Sequence, residues 1–198
     1  MLIYLHGFNS SPESRKAQLL ASRMQASALA AQLACPQLPH RPSRAIAVIE
    51  EEMAKHAGET ITFIGSSLGG FYATWLAEKH DAKAVLINPA INPQAGLRAL
   101  ASTQQNLYTG ERYELTEEHF EEWARLVPPR IMPARYLLLV ETGDEVLDYR
   151  EALERYRGCQ QVVVEGGDHT LRTFPEHIPR ILAFAGLGAD EKPSPTST

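Results

Sequence analysis

Cysteine is nearly absent from this 198-residue chain, which carries only Cys35 and Cys159. Two thiols cannot make a disulfide framework, and no C-x-x-C spacing offers a metal or redox site, so both are expected reduced and mostly buried. Long apolar runs are missing as well. No stretch approaches the roughly 18 residues of a membrane span, and residues 1–7 lack the basic region and apolar core of a secretory signal. A cytoplasmic protein with no membrane partner is the expectation. Nor is positive charge concentrated anywhere. Lysine and arginine total 19 against 24 acidic residues, for a net charge of −5, and their scatter argues against a nucleic-acid partner. The first strand–helix turn lacks G-x-G-x-x-G, and G-x-x-x-x-G-K-[ST] does not occur, which removes two phosphate-binding devices. The histidines are too dispersed to suggest a metal site. Neither a cofactor nor a metal is expected.

What is present is the composition of an ordinary globular protein, 44% hydrophobic and 22% charged, long enough for one domain with a substantial core. Short apolar runs alternate with helical periodicities. Strands are expected at 2–5, 32–35, 61–65, 83–88, 136–141 and 161–165. Ser11 and Pro12 read as cap and first turn of a helix buried through Ala17, Leu20, Met24 and Ala28. Ser43 reads as the cap of a helix with Ile46, Ile49 and Met53 inward. Further helices are expected over 68–80, 148–157 and 178–185, with Pro179 at the start of the last, because a proline deeper inside would break a hydrogen bond. The alternation predicts an α/β fold, a mostly parallel sheet of about six strands with helices on both faces. Ligands in such sheets sit beyond the carboxyl ends of the strands. Residues 92–133 break the rhythm as a long polar insertion that tends to helix, notably over 116–126, and insertions of this length are commonly lids or functional loops. The single domain is expected over 1–187, with a disordered tail at 188–198.

The strongest chemical signal is Gly65-Ser66-Ser67-Leu68-Gly69, a G-x-S-x-G pattern between an expected strand and an expected helix. A serine on so sharp a turn adopts a strained backbone, so its neighbours two positions away must be small. Ser67, midway between the glycines, is the candidate nucleophile, in preference to Ser66. A serine hydroxyl needs a base. His169 follows the last strand in Gly166-Gly167-Asp168-His169, where glycines would give the loop freedom to carry the imidazole over the sheet's edge. His6 is expected to shape its own turn, and His40, His56, His80, His119 and His177 to serve surface or capping roles. The base in turn needs a carboxylate to hold its tautomer. Asp144, in Thr142-Gly143-Asp144-Glu145, emerges at the same edge. Its rivals are Glu145, Asp148, expected to cap the next helix, and Asp168, too close in sequence to His169. The order serine, acid, histidine is that of the α/β-hydrolases. Oxyanion donors are expected from the backbone N–H of Leu68 and of Phe8, in the loop after the first strand.

Leu5-His6-Gly7-Phe8-Asn9-Ser10-Ser11, Gly65 to Gly70 with Tyr72-Ala73-Thr74-Trp75-Leu76, Asn88-Pro89-Ala90, Thr142 to Tyr149 and Glu165 to His169 together resemble the small bacterial YqiA-type esterases. The resemblance runs from Leu2 to about Leu187. It implies a minimal α/β-hydrolase lacking the fold's first two strands. It also implies esterase activity on short acyl esters, extending to acyl-CoA thioesters, without a cofactor. The family's serine, aspartate and histidine carry over to Ser67, Asp144 and His169. Asp168 stands where some relatives carry asparagine, and Tyr108-Thr109-Gly110 and Tyr113 echo the family's insertion. The small-molecule ester remains one reading among others: the same residues serve acyl transfer or scission of other bonds, and a silent hydrolase fold serves ligand binding.

Overall fold

The computed structural model describes residues 1–99 and 102–188. The expected tail therefore lies, apart from Gly188, outside the described residues. Six apolar runs form one parallel sheet: β1 (Leu2–Leu5), β2 (Leu33–Ala34), β3 (Thr62–Ser66), β4 (Lys83–Ile87), β7 (Tyr136–Glu141) and β8 (Gln160–Val164). Their spatial order is β2-β1-β3-β4-β7-β8. The chain passes from β1 outward to β2, then returns to β3 on the other side of β1. That reversal opens a crevice between the carboxyl ends of β1 and β3, the usual ligand position in an open parallel sheet.

The central strands are apolar on both faces because both are covered. Ile3, Leu5, Phe63, Leu86, Leu138 and Val140 point to one side, where α2 (Pro42–Ala54), α3 (Leu68–Lys79) and α6 (Tyr149–Arg155) pack. Leu2, Tyr4, Ile64, Val85, Leu137 and Leu139 point to the other, against α1 (Arg15–Ala26) and α7 (Phe174–Phe184). Period-two alternation thus feeds two cores from one sheet. This is the α/β-hydrolase fold expected from the sequence.

Three helix starts differ from expectation. The Ser11 hydroxyl accepts the N–H of Glu13 (3.0 Å), closing a local turn, and α1 begins only after Ser14. Pro42, with Arg41 before it, opens α2, while the N–H of Ser43 is accepted by Glu122 (2.9 Å). Proline's fixed φ suits that first position, so no serine cap is needed. Helix α7 starts at Phe174, with Pro179 inside it. An interior proline costs about 3 kcal/mol; burial of Phe174, Ile178, Ile181 and Leu182 on one face offsets it.

The insertion holds α4 (Pro93–Arg98), a hairpin of β5 (Thr103–Gln105) and β6 (Arg112–Glu114), and α5 (Glu117–Arg125). The hairpin was not expected. Helix α5 lies where the 116–126 pattern put it, with Phe120 and Trp123 buried and the Trp123 indole N–H donating to Tyr72 Oη (2.9 Å). Among the described residues no helix is long and apolar enough to cross a membrane.

Candidate active site

Ser67 sits between β3 and α3 at φ 54°, ψ −119°, a conformation L-residues rarely adopt. The surroundings enforce it. Its N–H donates to Ile87 O (3.0 Å), and its carbonyl accepts from Gly70 (2.9 Å) and Ala90 (3.1 Å). The flanking glycines leave no space for a side chain. A Cβ on Gly65 would fall on the backbone of Gly69, and one on Gly69 would fall on the Leu5 carbonyl. One on Gly70 would lie 2.7 Å from Pro89 Cβ. Strain at Ser67 is therefore held by backbone packed against backbone, and the hydroxyl is left projecting from the sheet edge.

The imidazole of His169 lies over that hydroxyl, with Nε2 3.1 Å from Ser67 Oγ. On its other side Nδ1 is 2.8 Å from Asp144 Oδ2 and 3.0 Å from Oδ1. A carboxylate can only accept, so Nδ1 carries the proton and Nε2 is free to accept from the serine. The Asp144 side chain is 1% exposed. Burial would raise its pKa, but the imidazole and the N–H groups of Val146 and Leu147 outweigh that and hold it below the usual carboxylate value. Asp144 therefore stays ionised at neutral pH.

The rival carboxylates are occupied elsewhere. Asp148 caps α6 through the N–H of Arg150 (3.0 Å). Asp168 turns to Thr170 and Arg172. Glu145 accepts the backbone N–H of His169 (3.0 Å) and so steadies its main chain. His6 is buried; its Nε2 accepts the N–H of Leu38 (3.0 Å) and its Nδ1 donates to Gly7 O (3.0 Å). Burial lowers its pKa and keeps it neutral. The glycines before His169 do more than give freedom. Gly167 is at φ 72°, and a Cβ there would fall on the Glu141 carboxylate, so close approach dictates the residue.

A cavity of about 870 Å³ opens over Ser67 and His169, a size typical of small-ligand sites. Phe8 and Leu68 line it, and the N–H of Leu68, first residue of α3, is one of those a helix leaves without an intrahelical partner. The backbone of Gly7 approaches so closely that a Cβ there would lie 3.3 Å from Ser67 Cβ. Ile91, Leu97, Leu147 and Phe174 supply apolar wall, Arg15, Lys16, Arg172 and Glu151 charge. Lys16 Nζ donates to Thr170 O (2.8 Å), and burial pulls its pKa down to about 8. Among the described residues no group of three or more His, Cys, Asp and Glu is placed to hold a metal ion.

Three residues at this edge had not been read as functional. Asn9, at φ 52° in the loop after β1, accepts from Tyr113 Oη (2.6 Å) and donates to Gln104 (3.2 Å), tying the hairpin to the Phe8 loop. Asn88, just past β4, and Glu141, the last residue of β7, are buried polar groups facing the His169 loop. Their signal was a polar residue closing an apolar strand, which ordinarily marks only the end of the strand.

The family described as "Uncharacterised protein family (UPF0227)" matches residues 1–186. The chain belongs to UPF0227. This is the family of the YqiA-type esterases that the motif blocks resemble. UPF0227 relatives include a protein of Citrobacter koseri, 24% identical over 196 residues that span 95% of this chain and 100% of the relative. YcfP of Escherichia coli O9:H4 is 23% identical with the same coverage. Among solved structures, the metagenome-derived lipolytic enzymes LipS and LipT match with a TM-score of 0.71 at 19% identity, covering 93% of this chain and 92% of that one. Est1E from Butyrivibrio proteoclasticus, with ferulic acid bound, matches at 0.66 and 14% identity over 92% and 87%. At such identities the likeness is one of fold.

Proposed function

We propose that this UPF0227 protein is a serine hydrolase that cleaves short acyl esters, with acyl thioesters as a second substrate class. The observation that carries the reading is the unbroken chain of hydrogen bonds from Asp144 through His169 to Ser67 at the floor of an apolar cavity. In the mechanism, His169 Nε2 removes the Ser67 proton as Oγ attacks the acyl carbonyl. The N–H groups of Phe8 and Leu68 stabilise the oxyanion, an interaction commonly worth about 3–4 kcal/mol per donor. His169 then protonates the departing alcohol or thiol. Water, activated by the same imidazole, releases the acid and restores Ser67. Asp144 remains ionised and stabilises the imidazolium. No metal or cofactor is required by these steps. Lipolytic neighbours of the same fold, and one with ferulic acid bound, support an ester as the scissile group.

The test is labelling by a fluorophosphonate, read by intact mass and peptide mapping. One adduct on Ser67 is expected in the wild type and none in Ser67→Ala. Turnover of p-nitrophenyl butyrate should fall at least about a thousandfold in that variant. Retained turnover or labelling in folded Ser67→Ala would overturn the assignment. A folded wild type that never labels near neutral pH would instead favour a silent, ligand-binding site.

A further inference from the structure

Glu141 has no place in the mechanism above, yet it is a fully buried carboxylate. A buried charge is costly unless it is thoroughly hydrogen-bonded. Glu141 is bonded at both oxygens, and every donor comes from one short segment. Oε2 accepts the N–H of Asp168 (2.8 Å) and of Arg172 (3.1 Å). Oε1 accepts the N–H of Thr173 (3.0 Å) and its hydroxyl (2.8 Å). His169 lies inside that segment. Asn88, just past the neighbouring strand β4, grips the same loop by its carbonyls: Nδ2 donates to Asp168 O (3.2 Å) and His169 O (3.1 Å). Its Oδ1 accepts the backbone N–H of Glu141 (3.1 Å), so the Asn88 amide ties the end of β7 to the same loop.

This pairing separates two jobs. Asp144 holds the imidazole ring, whereas Glu141 and Asn88, with Glu145 on the His169 N–H, hold the backbone that carries the ring. We propose that Glu141, braced by Asn88, is the positioning residue that sets the height and direction of His169 over Ser67. The inference rests on the reading of His169 as the base. Removing the grip leaves the Asp144 bond available but lets the ring drift along the sheet edge. A misplacement on the ångström scale is enough to cost turnover steeply, because proton transfer from Ser67 depends on reach.

A role in folding alone is the competing explanation, since Arg172 and Thr173 also lead into α7. The experiment therefore compares Glu141→Gln, nearly isosteric but with an amide facing N–H donors, with Tyr156→Phe. The latter removes the hydroxyl that bonds Thr74 Oγ1 (2.7 Å), a buried contact away from the cavity lining. Full-length proteins are assayed for p-nitrophenyl butyrate turnover, fluorophosphonate labelling rate, Tm and the far-downfield proton resonance of His169 Nδ1–H. Glu141→Gln should lose at least tenfold in kcat and labelling rate with KM within twofold, and its Nδ1–H resonance should shift or vanish. Tyr156→Phe should lower Tm while leaving kcat and the resonance as in the wild type. A folded Glu141→Gln with wild-type kcat and resonance overturns the proposal. If Glu141→Gln does not fold, Thr173→Val, which removes one donor and leaves the carboxylate, should show a smaller change in the same direction. An unchanged kcat and resonance there overturns it equally. A wild type that neither turns over nor labels would sink the hydrolase reading instead, while the resonance comparison still reports on His169 placement.

Discussion

The carboxyl edge of the sheet and the 92–133 insertion line the same cavity, but they are held in different ways. At the edge, Ser67, Asp144 and His169 are fixed by buried hydrogen bonds and by glycines with no room for a Cβ. In the insertion, α4 buries only Pro93, and near the hairpin tip Leu107 is 84% exposed and Tyr108 53%. Anchorage comes from further along, through Phe120 and Trp123 of α5 and the Tyr113–Asn9 bond. The arms of Arg98–Glu117 and Arg125–Glu121 reach through solvent, where ion pairs contribute little. The contrast teaches where each task resides. Steps that need fixed geometry are built onto strands that two cores clamp. The insertion's part of the cavity wall is built from segments with few buried residues.

The largest effect expected from this contrast is at Gly69. An alanine Cβ there would fall on the Leu5 carbonyl, which is part of the central ladder and cannot yield. Gly69→Ala should cost at least about 3 kcal/mol and abolish labelling of Ser67, read by thermal denaturation and by mass. A variant with wild-type Tm and labelling would mean that the edge is softer than described.

Acid comes next. A protonated imidazole cannot accept the Ser67 proton, so kcat/KM should fall on acidification while the fold is still intact. Stability should follow a different course. Asp144 and Glu141 both lie below their ordinary values of 3.8 and 4.5; at each, burial pushes upward and hydrogen bonding outweighs it. Depressed carboxyls contribute stability that is complete above those ordinary values and is lost as pH falls through the lower, folded ones. Tm should therefore hold down to about pH 4.5 and decline below it. Activity lost only together with Tm would show that the base had been misread.

The edge was also the more legible region. Strands at 2–5 and 136–141 matched residue for residue because apolar runs there are bounded by His6 and Thr142. The strands expected at 61–65 and 161–165 were displaced by one, since register is set by partners that a single run does not reveal. Ser67, Asp144 and His169 were named from their places after strands, and the structure brings them within hydrogen-bonding distance. Glu141 escaped notice because its partners arrive from 168–173, about thirty residues later, and nothing local marks them. The start of α7 was missed for the same reason, as Thr173 answers to Glu141. The hairpin escaped because Thr103-Gln104-Gln105 and Arg112-Tyr113-Glu114 are short and polar, with little of the alternation that betrays a strand.

The smallest effect is expected on the insertion's side of the cavity. Leu97, on α4, is partly buried against the core and forms part of the wall. Leu97→Ala removes apolar surface from the wall without touching the Asp144–His169–Ser67 chain. Loss of a few carbons from a binding surface is commonly worth about 1–3 kcal/mol in substrate affinity, and less at a partly open wall. KM for p-nitrophenyl butyrate should rise about three- to tenfold, with kcat and the rate of Ser67 labelling by a small fluorophosphonate unchanged. A fall in kcat with KM held constant would mean that α4 helps place the reacting atoms. The division between a closely packed edge and a sparsely packed wall would then fail at its most accessible point.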